Sequence, residues 1–198
     1  ISGVNITARE VNVTSKNNAF ETNSAGQITY GGKAAVGASL AYTNIENSTS
    51  ATIKEAIINL KNTKDETKEK NVNVVAESGV ENYTVAAGAS ASKGKAAVAG
   101  TVAVAQGGNS TLATVEGTVI KDVDNLTTTA TDENKVYTIA GTITGSAGAA
   151  IGGAGAYSEL DKNEVKAALN TVNITTGANG NINRGAKETS KFYTIGAG

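Results

Sequence analysis

Tyr83-Thr84-Val85-Ala86 returns as Tyr137-Thr138-Ile139-Ala140 and again as Tyr193-Thr194-Ile195-Gly196, at spacings of 54 and 56 residues. Three copies at one period mark an internal repeat, which overrides any local reading of secondary structure. Outward from these anchors, Gly32-Lys33-Ala34-Ala35-Val36-Gly37 matches Gly94-Lys95-Ala96-Ala97-Val98-Ala99, and Gly148-Ala149-Ala150-Ile151-Gly152 continues the series. Asn47-Ser48-Thr49-Ser50-Ala51-Thr52-Ile53 matches Asn109-Ser110-Thr111-Leu112-Ala113-Thr114-Val115, with a weaker echo at Ala167-Ala168-Leu169. Val72, Leu126 and Ile182 each stand 11 residues before their own repeat tyrosine, so the register holds within units as well as between them. The chain reads as one segment, 1–198, of about three and a half units: 11–71, 72–125, 126–181 and a partial 182–198.

Each unit is expected to hold four β-type segments, which in the second unit start at Val72, Tyr83, Ala96 and Ala113. Thr, Val and Ile at period two suit pleated, half-buried strands, and the Asn, Gly, Ser and Asp between them suit turns. Two stretches conflict with this pattern. Residues 48–60 include Ile53 and Ile57 at helical spacing, but their repeat partner, Ala113 to Ile120, is β-branched and contains glycine, so strand is expected. For 158–170 both readings stay open, because Ser158 could cap a helix carrying Leu160, Val165 and Leu169.

Composition narrows the chemistry. The 198 residues are 39% hydrophobic with 23 glycines, but only 4% aromatic and 18% charged, with no Trp. The core must then come from Ala, Val, Ile, Thr and Gly. The chain has no His and no Cys, which removes the Ser-His-Asp triad, cysteine nucleophiles, disulfides and every His or Cys metal site. It also has no Pro, where an average chain of this length carries about ten; that fits a fold that commits nearly every backbone N–H to a sheet ladder. The missing Met suggests a mature product or an excised fragment. A net charge of −1 without a basic cluster argues against nucleic acid, and no apolar run is long enough to span a membrane, so no membrane insertion by this segment is expected.

A unit of short strands cannot bury its apolar face alone, so neighbouring units must stack. The expected fold is all-β: a right-handed parallel β-helix, or β-solenoid, built from about 54-residue units. With roughly 20 to 27 residues per turn, each unit would make about two turns and the rod would be about 35 to 50 Å long at a 4.8 Å strand spacing. An antiparallel sandwich suits the strand spacing but not a residue-by-residue repeat. A left-handed roll would need a strict short period that the chain lacks.

The run from Lys33 to Ile53, through Ala34-Ala35-Val36-Gly37-Ala38-Ser39, a polar Asn turn and Ala51-Thr52-Ile53, resembles the repeats of filamentous-haemagglutinin-like adhesins. Within these large secreted β-helical proteins of Gram-negative bacteria, it is most similar to the fusobacterial leukotoxin type. Lys95 to Val115 keeps the pattern well and Gly148 to Leu169 loosely. Gly- and Ala-rich strands also give a weaker similarity to trimeric autotransporter head domains, whose short repeat is absent. The first resemblance implies type V export and a location on the bacterial surface or outside the cell. The function it implies is structural or adhesive, as part of an adhesin or leukotoxin-type toxin. Its partners would be neighbouring units and a host cell-surface or matrix component.

No catalytic, cofactor-binding or metal site is expected. The carboxylate pairs Asp122/Asp124, Asp132/Glu133 and Glu159/Asp161 read as solvated turn residues. Neither an EF-hand loop nor a Gly-Gly-x-Gly-x-Asp repeat occurs, and Gly141 to Gly148 lacks a phosphate-loop ending. The seven Asn-x-Ser/Thr triplets read as turn and strand composition, and Tyr83, Tyr137 and Tyr193 as a stacked structural column. Arg9 and Arg184 are too far apart to pair. A polysaccharide-degrading β-helix enzyme is the rival class, but the clustered acidic and basic strand face it would need is not visible. Residues 61–70, with seven charges and no apolar side chain, read as an exposed loop that absorbs the first unit's extra length.

Overall fold

The computed structural model describes residues 1–62 and 68–198, with only the backbone described at 178 and 179. Among the described residues every regular element is a strand, and every pairing between strands is parallel. The antiparallel sandwich is therefore set aside. The strands are β1 (Asn5–Ala8), β2 (Glu10–Gly31), β3 (Ala34–Lys54), β4 (Ile57–Leu60), β5 (Asn71–Ser92), β6 (Ala96–Glu116), β7 (Val119–Ser146), β8 (Ala149–Leu160), β9 (Glu164–Asn170) and β10 (Asn173–Ala197). Both ambiguous stretches are extended: 48–60 belongs to β3 and β4, and 158–170 to the end of β8 and to β9.

The strands form three walls. β2, β5, the part of β7 from Asn125 onward and the part of β10 from Asn181 onward make a long first wall. β3, β6 and then β8 and β9 make a long second wall. The short third wall is made of β1, β4, Val119–Val123 of β7 and Asn173–Thr176 of β10. Neighbours in a wall are one whole unit apart: Val72 pairs with Leu126 and Leu126 with Ile182, Tyr83 with Tyr137 and Tyr137 with Tyr193, and Ala34 with Ala96. The repeat register is thus the pairing register.

Two expectations need correction. One unit supplies a single layer of each wall, not two turns of 20 to 27 residues. The four segments per unit also fuse into long strands: those starting at Val72 and Tyr83 are both β5. The polar residues that read as a turn between them, Glu77, Ser78 and Gly79, stay in the ladder opposite Thr131, Asp132 and Glu133. Strict alternation allows this, because Ser78 faces inward and Glu77 outward, so polarity changes along the strand without breaking it.

The core follows the walls. Where all three meet, large aliphatic side chains fill the interior, among them Val72, Val74, Leu126, Ile53, Val115, Ile58 and Ile120. Complete burial of each is worth about 1.5–3 kcal/mol. Away from that corner only the two long walls face each other, and the residues shrink to Ala41, Ala86, Ala103 and Ala140. At the far tip the walls approach so closely that a Cβ on Gly88 would lie 2.8 Å from Thr101 Cγ2. Small side chains in the sequence therefore mark where the two walls converge.

The loop at 61–70 falls partly outside the described residues, at 63–67. The pairing offset is 62 at Ile57 with Val119 and 54 at Asn71 with Asn125, so the extra length lies between β4 and β5. Lys70 ties its exit down, its backbone N–H donating to Asp124 Oδ2 at 2.9 Å and its ammonium lying 3.8 Å from Oδ1.

Candidate functional site

Outward residues of the first wall form rows that cross the strands. In one row Tyr83, Tyr137 and Tyr193 stack ring on ring, with centroids 4.5 and 4.6 Å apart and interplanar angles of 2° and 7°, as the repeat predicts. Parallel pairing imposes this spacing, because like residues one layer apart sit one strand separation apart. Phe20 extends the column obliquely, 5.8 Å from Tyr83 at 49°. Two rows away, Gly79 leaves a gap. Around it Lys16, Glu77, Glu81, Glu133, Lys135 and Phe20 line a depression of about 540 Å³.

The charges in this depression are ordered by contacts. Lys16 Nζ donates to Glu77 Oε2 at 2.9 Å, and that bond and charge raise the ammonium pKa. The Tyr83 hydroxyl donates to Glu81 Oε1 at 2.7 Å; the bond, with burial and the carboxylate charge behind it, pushes the phenol up to about 12. Both signs of charge beside an aromatic wall make a surface suited to a polar, mixed-charge ligand. The repeat identified the tyrosines but not this depression, whose members come from three layers and include no shared motif. Gly79, an outward glycine between charged neighbours, was the signal available.

The carboxylate pairs are not brought together as acid–base pairs. Asp122 is exposed, at a left-handed φ of 59° that bends β7 between the third and first walls. Asp124 is engaged with Lys70. Glu159 accepts the Tyr157 hydroxyl, which raises that phenol's pKa, and Asp161 follows the end of β8.

Asp132 corrects the solvated-turn reading. It lies inside β7 with no exposed surface, while Glu133 points outward. Asn134 Nδ2 donates to Asp132 Oδ2 at 2.6 Å, and Asn109 Nδ2 donates to Asn134 Oδ1 at 2.6 Å. Burial raises the carboxyl pKa, and the bonds from Asn134 and Asn109 partly oppose the rise. The same interior stripe continues one layer away, where Asn47 Nδ2 donates to Ser78 Oγ at 3.2 Å, and on the other side, where the Asn109 N–H donates to Asn163 Oδ1 at 2.8 Å. Asp132, Asn134 and Asn109 bond to one another across the two walls, a role that turn preference does not reveal.

Two of the Asn-x-Ser/Thr asparagines, Asn47 and Asn109, belong to this stripe, while Asn125 stands outside and donates to Asn71 at 2.9 Å. Gly141 to Ser146 is ladder-paired strand, so its amides are not arranged as a phosphate cradle. Among the described residues no group of three or more acidic side chains could hold a metal ion, and no helix is long and apolar enough to cross a membrane. No family model matches the chain, and comparison with curated proteins and with solved structures returned no similar protein.

Proposed function

We propose that the chain is a right-handed parallel β-solenoid segment of a bacterial surface-displayed or secreted virulence protein, either an adhesin or a leukotoxin-type toxin of the filamentous-haemagglutinin-like kind. The observation that carries this reading is the pairing of each strand, in parallel and in register, with its equivalent one unit away in all three walls. Such a stack grows by adding units without altering the earlier ones, which suits a long displayed protein. The right hand is the one that parallel crossover connections adopt. The role is structural and adhesive rather than catalytic. The interior groups Asp132, Asn134 and Asn109 bond to one another, and the outer wall presents rows of aromatic and charged side chains to a host cell-surface or matrix component.

The test is binding of the purified chain to host cells and to immobilised matrix proteins. A Glu81→Lys/Lys135→Glu variant, altered only on the outer wall, should lose binding with its circular dichroism unchanged. Depolymerisation of a polysaccharide by the purified chain, abolished by one Asp or Glu substitution, would replace this reading with that of an enzyme.

A further inference from the structure

The outer face of the second wall repeats the tyrosine row of the first with its middle ring missing. Tyr42, Val104 and Tyr157 pair in register across β3, β6 and β8, as Tyr83, Tyr137 and Tyr193 do across β5, β7 and β10. In the first wall the middle ring lies 4.5 and 4.6 Å from its neighbours. In the second, Tyr42 and Tyr157 stand two strand spacings apart, about 9.5 Å, and Val104, whose side chain ends well short of a phenol, leaves the ring position between them open. Both tyrosines show it in their exposure: Tyr42 is 47% exposed and Tyr157 49%, whereas Tyr83 and Tyr137, which touch rings, are half-buried.

The two edges of this slot differ in chemistry. Along one runs the row of Asn44, Gln106 and Glu159, and both phenols lean toward it. Gln106 Nε2 donates to the Tyr42 hydroxyl oxygen at 2.6 Å, and the Tyr157 hydroxyl donates to Glu159. These bonds leave Tyr42 its own O–H to donate, and the Gln106 carbonyl and the second Glu159 oxygen to accept. Along the other edge runs the apolar row of Leu40, Val102 and Gly155, and a Cβ on Gly155 would meet nothing within 4 Å. Two facing rings with room for one ring between them, polar groups along one edge and apolar side chains along the other match a pyranose. Its C–H faces pack on aromatic carbons at about 3.5–4.0 Å, and its hydroxyls project from the rim. We propose that Tyr42 and Tyr157 clamp one pyranose residue of a neutral glycan over Val104, with its hydroxyls bonded to Tyr42, Gln106 and Glu159.

The polar edge selects among rings. A partner's aromatic side chain would fill the same space, but it could use at most one of the three polar groups and would strip water from the others without replacing it. A sugar serves all three. Acidic sugars are disfavoured, because Glu159 and Asp161 both lie near enough to the Tyr157 hydroxyl to raise its pKa, and a ligand carboxylate would add a further negative charge beside them. The slot lies on the second wall and shares no residue with the Gly79 depression, so it stands or falls apart from the first-wall reading.

The experiment is an array of neutral hexose and N-acetylhexosamine oligosaccharides, with uronic-acid oligosaccharides beside them, probed with the purified 198-residue chain; the best binder is then titrated by saturation-transfer NMR. Members of the neutral set should bind and the uronic set should not. Val104→Tyr supplies the missing ring from the chain itself, so it should abolish binding with the circular dichroism and the denaturation midpoint undiminished. Tyr42→Leu and Tyr157→Leu should each weaken binding by about tenfold through loss of a stacking face, and Gln106→Leu by about threefold to tenfold through loss of a hydrogen bond. Glu81→Lys/Lys135→Glu, on the first wall, should leave it unchanged. The proposal is overturned if no neutral oligosaccharide binds, if Val104→Tyr leaves binding intact, or if the uronic set binds as well as the neutral one. Capture of a tyrosine-containing peptide that Val104→Tyr abolishes, with no sugar bound, would assign the slot to an aromatic side chain instead.

Discussion

Burial places the Asp132 carboxyl pKa above its ordinary value of 3.8. The folded state therefore holds this proton more tightly than the unfolded chain does. Below pH 3.8 the group costs nothing; as pH rises through the folded value, stability is lost, and the loss is complete above it. Asp132→Asn should flatten this part of a denaturation-against-pH profile measured by urea titration, and a slope unchanged by the substitution would show that Asp132 is not its source. On the outer wall, Glu81→Gln should bring the Tyr83 phenol down from about 12 toward 10.0 in a spectrophotometric titration, because the bond to Glu81 is the largest cause of the rise. Tyr137 contacts a ring on each side. Tyr137→Ala should cost about 2 kcal/mol in a denaturant melt, two stacking contacts at about 0.5–1.5 kcal/mol each with some lost burial, whereas Tyr137→Phe should cost little.

At the scale of elements, the sequence showed the register and hid the strand lengths. Tyr83, Tyr137 and Tyr193 pair as their spacing requires, and so do Val72, Leu126 and Ile182. The breaks were misplaced because Ser78, Asn82 and Asp132 carry turn-forming side chains, and in a single strand these look like punctuation. Ser78 and Asp132 are buried against partners from the facing wall, Asn47 for Ser78 and Asn109 for the Asp132–Asn134 pair, while Asn82 accepts from Thr84 of its own strand. No local pattern records such partners. The outer depression was illegible for the same reason, since Lys16, Glu77 and Glu133 come from successive layers of the first wall. Strand contacts also decide which glycines matter. Gly88 faces Thr101 on the opposite wall, so Gly88→Val should destabilise by about 1–3 kcal/mol through overpacking, while Gly100→Ala should change the denaturation midpoint little.

For the whole molecule, stability should be graded along the stack. Apart from Gly88, the inward residues of β5 and β6 are buried, whereas those of β2 beyond Val11 and the described ones of β10, strands with a neighbour on only one side, are not. In an array held by nearest-neighbour contacts, protection falls toward the ends. Hydrogen exchange should then be slowest in β5, β6 and the first-wall part of β7 and fastest in β2 and β10; uniform protection would mean that the stack opens as one unit.

The parallel register also governs how the molecule bears load. The ladder bonds of every layer point along the stacking direction, so tension applied between the two ends of the stack loads the layers in series. Each bond row meets the force nearly head-on rather than in shear. An end layer has bonds to only one neighbour, so it should peel first and pass its role to the next. Releasing one 54-residue layer frees a contour of about 180–190 Å. Single-molecule stretching should give a train of low, evenly spaced rips of that length in place of one high peak, so that a molecule of this build would yield to a pull in instalments and re-form a layer at a time when the pull relaxes.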